Sequence, residues 1–171
     1  MRTDYICRQE LEHLLAALTR PNRLAMEVSL HTGLRISDVL NFRSERLSKR
    51  FYVRELKTGK RRRIYLSNEL LDRCQAIAGK IYVFEGRLNQ NKHRTRQAVW
   101  KDLKRIARMF RLEKNIAPHS ARKVYAVDFY KKSGGDLQRV KELLNHTDEA
   151  VTALYALSDQ LVKRHHGENY S

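Results

Sequence analysis

Breakers are scarce in this chain: two prolines and seven glycines are spread over 171 residues. Proline removes a backbone donor and glycine adds to the entropy lost on ordering, so a chain with few of either forms long continuous elements with short connections. The length suits one domain and is enough to bury a core. No repeat or low-complexity tract interrupts it. The fold then depends on whether the apolar residues of each stretch follow a period of 3.6 or of 2.

Leu11, Leu14, Leu15 and Leu18 share one helical face over residues 8–18. Pro21 suits the start of a second helix running to Thr32, and Gly33 suits its stop. Ser37 is the expected N-cap of a short third helix through Asn41. The period then changes. Residues 51–56 and 61–66 read as two strands joined by the turn Lys57-Thr58-Gly59-Lys60. Ser67 caps a further helix that ends before Gly79, and residues 81–84 form a short β-like run. After a polar stretch over 85–94, residues 95–111 read as a helix with Val99, Leu103, Ile106 and Phe110 turned inward. Pro118 introduces a helix through Lys132, stopped at Gly134-Gly135. Asp136 caps residues 137–145, and Asp148 caps a helix through Leu157. The fold class is therefore mainly α with a small antiparallel β-sheet, an α+β domain.

Charge sets the class of partner. Lys and Arg number 35 against 19 Asp and Glu, a formal charge of +16. Such an excess on one domain points to a polyanion, most simply nucleic acid. It is concentrated in two places. Residues 54–63 carry six basic side chains against the single acid Glu55, and residues 92–114 carry nine against Asp102 and Glu113. In the second segment the apolar spacing leaves Lys101, Lys104, Arg105 and Arg108 on the outer side, suited to a phosphate backbone. Lys60, Arg61 and Arg62 of the hairpin are candidate DNA contacts too. Trp100, beside the basic face, suits either stacking on a base or half-burial in the helix.

Other classes are disfavoured. No apolar run approaches the ~18 residues of a membrane-spanning helix, and the opening MRTDYICRQELEHLL has no long apolar stretch, so no signal peptide is expected. Cys7 and Cys74 lie 67 residues apart, which suits a reducing cytosol rather than a disulfide framework or zinc site. His165 and His166 are adjacent and point apart, so no metal is expected there.

Four local patterns carry chemistry. Thr32-Gly33-Leu34-Arg35-Ile36-Ser37-Asp38 holds an arginine just after a helix stop. Leu56-Lys57-Thr58-Gly59-Lys60 puts a lysine in a hairpin turn. Pro118-His119-Ser120-Ala121-Arg122 sets a histidine and an arginine on one face of a helix start, where anions are favoured. Leu143-Leu144-Asn145-His146-Thr147-Asp148 is followed by Tyr155, nine residues after His146. Taken singly, each also fits a structural role: Tyr155, with Val151 and Leu154, suits a core edge, and His146 suits a helix C-cap.

In order and spacing, the four together resemble the tyrosine recombinase, or phage integrase, family from about Cys7 to Leu157. Arg35 sits in the family's Gly-Leu-Arg-x-Ser-Asp/Glu box. Lys57 follows in the hairpin 22 residues on. His119 and Arg122 form the His-x-x-Arg box, His146 matches the histidine of the Leu-Leu-Gly-His box with Asn145 in the glycine's place, and Tyr155 has the family's spacing. The resemblance implies a catalytic domain over residues 1–157, a tail over 158–171, and no core-binding domain ahead of them. It implies a site-specific recombinase of integrase or invertase type. Arg35 and Arg122 would clamp the phosphate, Tyr155 would attack it, His119 would take the phenol proton, Lys57 would protonate the leaving 5′-oxygen, and His146 would bond a non-bridging oxygen. Lys60 remains a second candidate for the acid. No cofactor or metal is implied. The partner is double-stranded DNA, met by a monomer that assembles into a dimer to tetramer only on paired sites, with the tail as the contact between protomers. The setting is the cytoplasm, at the nucleoid. A type IB topoisomerase-like nicking enzyme and a catalytically idle, regulatory DNA-binding protein are the alternatives.

Overall fold

The computed structural model describes residues 4–144 and Val151. In chain order the elements are α1 (Arg8–Ala16), α2 (Arg20–Thr32), α3 (Ile36–Leu40), β1 (Arg50–Arg54), β2 (Arg61–Tyr65), α4 (Asn68–Gln75), α5 (Arg96–Met109), α6 (His119–Lys132) and α7 (Leu137–Leu144). The expected helix capped by Asp148, the tail, His146 and Tyr155 lie outside the described residues, apart from Val151, which is helical and buried.

α2 is the centre. It packs against α1, α3, α4, α5 and α6, and Leu24, Ala25, Met26, Val28 and Leu30 are all buried. A helix buried on most sides must settle its own polar groups. Ser29 Oγ donates to the Leu34 carbonyl and Thr32 Oγ1 to the Val28 carbonyl, each at 2.7 Å. The N-terminus of α2 is capped from elsewhere. Asp102 of α5 accepts from the Thr19 N–H at 3.0 Å, the Thr19 hydroxyl at 2.7 Å and Asn22 Nδ2 at 2.8 Å. A carboxylate there also meets the positive end of the helix dipole. Gly33 ends α2 with φ +68°, and a Cβ at this position would run into the Tyr125 ring of α6. The residue must therefore be glycine both for its backbone and for the close approach.

Several local signals act as the sequence suggests. The Ser67 side chain accepts from the Leu70 N–H at the start of α4, while Thr95, expected inside α5, instead caps it by accepting from the Ala98 N–H. Asp136 accepts from the Arg139 N–H at the start of α7. Gly134 and Gly135 follow α6 with positive φ. β1 and β2 pair antiparallel, from Arg50↔Tyr65 at one end to Arg54↔Arg61 beside the turn. Their inner face packs Phe51 edge-on against Phe42 and buries Ile64. Beyond the main core, Ala126, Val127, Val140, Leu144 and Val151 form a smaller cluster between α6 and α7.

Three expectations are corrected. Ser37 is not the cap of α3: the extended residue before the helix is Arg35, and Ser37 lies in the first turn. Phe110 is not inward: α5 ends at Met109, so the helical period no longer aims it, and it stays 41% exposed against the His13 ring. Residues 81–84 are no strand but a bridge, Arg43↔Tyr82, in which Ser44 donates to Ile81 and Val83 to Phe42. Among the described residues no helix is long and apolar enough to cross a membrane.

Candidate active site

The end of α2 sets the position of Arg35. The left-handed turn at Gly33 swings the chain out, Leu34 is buried as an anchor, and Arg35 sits extended at the head of α3. Its side chain is only 14% exposed and donates from Nη1 to Glu55 Oε2 at 2.9 Å. Glu55 follows β1 directly and is buried. Its Oε2 also accepts from the Thr58 hydroxyl at 3.1 Å, and its Oε1 from Arg62 Nη1 at 3.1 Å. Burial alone would raise the Glu55 carboxyl. The hydrogen bond and charge of Arg62, the charge of Arg122 and the Thr58 hydroxyl outweigh it and hold the group below its ordinary value. One ionised carboxylate thus joins Arg35 to the turn that carries Lys57.

A second acid fixes the same turn. Asp38 of α3 accepts from the Leu56 N–H at 2.8 Å. Burial pushes its carboxyl up; the Leu56 N–H opposes that, and the charge of Glu55 adds to it.

Arg35, Ile36, Ser37, Lys57, Arg96, Gln97, Trp100 and the Ala117–Pro118–His119 entry to α6 line one cleft of about 440 Å³. Three of the expected catalytic residues, Arg35, Lys57 and His119, therefore meet, brought from α3, the hairpin and α6. Arg122 lies behind them and is fully buried. It donates from Nη1 to the Gly33 carbonyl and from Nη2 to the Leu144 carbonyl, the latter at 2.9 Å. It therefore ties the turn before Arg35 to the end of α7, two residues before His146.

The expected DNA contacts divide. Lys60 and Arg61 are exposed on the hairpin, and Lys101 and Arg108 on α5. Arg62 is turned inward, with its guanidinium on Glu55 and, at 3.1 Å, on the Thr32 carbonyl. Lys104 is half-buried and donates to Asn115 Oδ1 at 2.5 Å. Arg105 is exposed yet bound to Asp102 at 2.7 Å and to the Ala17 carbonyl at 3.2 Å. Sequence reasoning missed Glu55, Arg96 and Gln97. Glu55 had a signal, being the single acid in a run of six cations. Trp100, 41% exposed, faces the cleft. Among the described residues no three His, Cys, Asp or Glu side chains gather as a metal site.

Two arginines, a lysine and a histidine around one cleft suit a phosphodiester, whose negative charge they offset. The profile of the phage integrase family matches residues 4–161. The chain belongs to that family. It is 30% identical over 174 residues to the tyrosine recombinase XerD of Lacticaseibacillus casei, across 88% of this chain and 57% of the relative. It is 28% identical over 163 residues to a tyrosine recombinase of Thermosipho africanus, across 89% and 56%. The chain thus spans a little over half the length of these relatives. In fold it is similar to the lambda integrase catalytic core, with a TM-score of 0.70 at 21% identity, across 86% of this chain and 94% of that one. It is also similar to XerA recombinase, with a TM-score of 0.68 at 18% identity, across 100% and 66%.

Proposed function

We propose that this chain is the cutting and rejoining domain of a site-specific DNA recombinase acting through a 3′-phosphotyrosyl intermediate. The observation that carries the reading is the meeting of Arg35, Lys57 and His119 on one cleft, in a chain of this family. Arg35 binds a non-bridging oxygen of the scissile phosphate from the cleft, and Arg122, buried behind it, adds its positive charge to the field that stabilises the five-coordinate transition state. The Tyr155 Oη forms a bond to phosphorus while the bond to the 5′-oxygen breaks. The phenol proton passes to His119, because a group with an ordinary pKa near 10 needs a base. Lys57 delivers a proton to the departing 5′-oxygen, and His146 donates to a non-bridging oxygen. One phosphoester replaces another, so no external energy source is consumed. Attack by the 5′-hydroxyl of a second strand reverses the step and completes exchange. Lys60, Lys101 and Arg108 hold the flanking duplex.

The partner is double-stranded DNA. A crystal structure of a lambda integrase dimer bound to a core site and one of a tetramer bound to a Holliday junction support assembly on paired sites. We place the work in the cytoplasm, on nucleoid or mobile-element DNA. The test is a nicked suicide duplex bearing the cognate site. A denaturant-resistant protein–DNA adduct is expected, formed equally in EDTA and lost in Tyr155→Phe. An adduct of equal yield in that variant, or none from the unaltered chain, refutes the reading.

A further inference from the structure

The two strands of the hairpin have one exposed face, on which the Tyr65 ring meets the His31 ring at 6.5 Å and Arg54 donates to the Gly59 carbonyl at 3.2 Å. Alternate residues of a strand point the same way, and the register opposes Arg50 to Tyr65, Tyr52 to Arg63 and Arg54 to Arg61. All six are exposed. The opposite face carries Phe51, Val53, Arg62 and Ile64 into the protein. The outer face is therefore four arginines and two tyrosines. Tyr52 is 52% exposed and Tyr65 49%. The Arg61 guanidinium lies 4.1 Å from the Tyr52 ring centroid, and Arg50 and Lys49 lie 6.0 and 5.8 Å from that of Tyr65. The adjoining groove holds two acids: Asp38, which is buried, and Glu45, whose carboxylate faces Arg46 at 3.5 Å.

This composition selects among polyanions. A duplex offers phosphates to the arginines but keeps its base faces stacked inside, so the two rings would gain little from it. An unpaired strand offers phosphates and base faces together, and a base stacked on an aromatic ring beside arginine is a recurrent mode of single-strand binding. The position fits as well. The face begins at Arg54 and Arg61, beside the turn that carries Lys57 into the cleft, and extends about 13 Å away from it, four residue steps along the strands. Cleavage at the cleft frees a strand whose first nucleotides must leave their duplex before they join another.

We infer that the outer face of the β1–β2 hairpin binds single-stranded DNA, stacking bases on Tyr52 and Tyr65 and holding phosphates with Arg50, Arg54, Arg61 and Arg63. The inference rests on the proposed cleavage only for where that strand comes from.

The probe is a fluorescent twelve-nucleotide oligothymidine, compared with a twelve-base-pair duplex of unrelated sequence, both titrated against the full chain. Tyr52→Ala with Tyr65→Ala should weaken oligothymidine binding at least about tenfold, given the usual value of a base–aromatic stack. Duplex affinity should stay within about twofold, and Tyr52→Phe with Tyr65→Phe should restore the loss. Unchanged oligothymidine affinity in the alanine pair, or an equal fall for both probes, overturns the inference. If the alanine pair does not fold, Arg61→Gln with Arg63→Gln decides, since both rings remain. It should lower the salt slope for oligothymidine by about 1.4, or roughly 0.7 for each phosphate no longer neutralised, and an unchanged slope overturns the inference. Adduct formation on the suicide duplex is read in the same preparations. A chain that forms the adduct but ignores oligothymidine removes the platform and leaves the cleavage reading standing. A chain that binds oligothymidine through these rings without forming the adduct does the reverse.

Discussion

Removing the Glu55 carboxylate should damage stability and chemistry together, in amounts the geometry sets. The side chain is 4% exposed and takes hydrogen bonds from Arg35, Arg62 and Thr58. Glu55→Ala removes the carboxylate that faces two guanidinium groups, 14% and 15% exposed. Deleting one member of a buried ion pair costs about 3–5 kcal/mol. Arg62 keeps the Thr32 carbonyl, which argues for the lower end, about 3 kcal/mol. For a chain of this size that is a fall in Tm of roughly 6–12 °C. Glu55→Gln keeps the shape and one acceptor and should cost about half as much. Chemistry should suffer beyond stability, because Arg35 loses its tether and a misplacement of about 1 Å can cost about a hundredfold in rate. Single-turnover adduct formation at saturating DNA, well below each variant's Tm, should slow more than tenfold, with Kd for the duplex moving less than threefold. Arg62→Ala is the companion: it should lower Tm and leave the salt dependence of DNA binding unchanged. Glu55→Ala with stability within about 0.5 kcal/mol of the unaltered chain and an undiminished cleavage rate would contradict this account of the carboxylate. So would an Arg62→Ala whose main effect is a flatter salt slope.

Lys101→Glu and Arg108→Glu on the exposed face of α5 should weaken duplex binding and lower the salt slope by about 0.9 for each phosphate no longer neutralised; normal binding would place the DNA face elsewhere. Asp102 gives a pH dependence with a definite sign. Burial alone would raise its carboxyl, but the bonds from Asn22, Thr19 and Arg105 hold it below the ordinary value. Its contribution is complete above the unfolded value of about 3.9 and fades as pH falls through the lower folded one. Urea denaturation of the unaltered chain and Asp102→Asn should therefore give curves that converge toward acid, and parallel curves would contradict the assignment.

What the sequence made legible is mostly local. Gly33, Ser67, Pro118 and the Thr58-Gly59 turn act within a few residues of themselves, and their signals hold in the fold. The positions of Arg35, Lys57 and His119 on one cleft come from the family's spacing rather than from periodicity. Arg62 shows where a charge count misleads. Taken as one cation in a basic run, it looks like a phosphate contact. By strand parity it must share the face of Ile64, which is buried, so its guanidinium has to find a partner inside. Glu55 and the Thr32 carbonyl are those partners, 7 and 30 residues away in the chain. Pairings at such separations leave no periodic trace: the lone acid of the basic run is legible in the sequence, but its bond to Arg35 is not until the hairpin folds against the end of α2.

The C-terminus of α2 explains how distant elements are registered against Arg35. The last carbonyls of a helix have no partner within it, and the helix dipole makes them a negative pole. Here three consecutive carbonyls are met from different directions. Thr32 accepts from Arg62 of β2, Gly33 from Arg122 of α6, and Leu34 from Ser29 of α2 itself. Two guanidinium groups are thus drawn to one helix end. One of them also binds the carboxylate that holds Arg35, and the other reaches the Leu144 carbonyl at the end of α7. A shift of the hairpin or of α6 would leave one of these buried carbonyls without its donor, and a lost hydrogen bond to a charged group costs about 1.5–3 kcal/mol. The same contacts that satisfy the end of the central helix therefore fix Arg35, Lys57 and Arg122 relative to one another. This is the rigidity the proposed cleavage would require, since a phosphate's charge is redistributed during such a reaction.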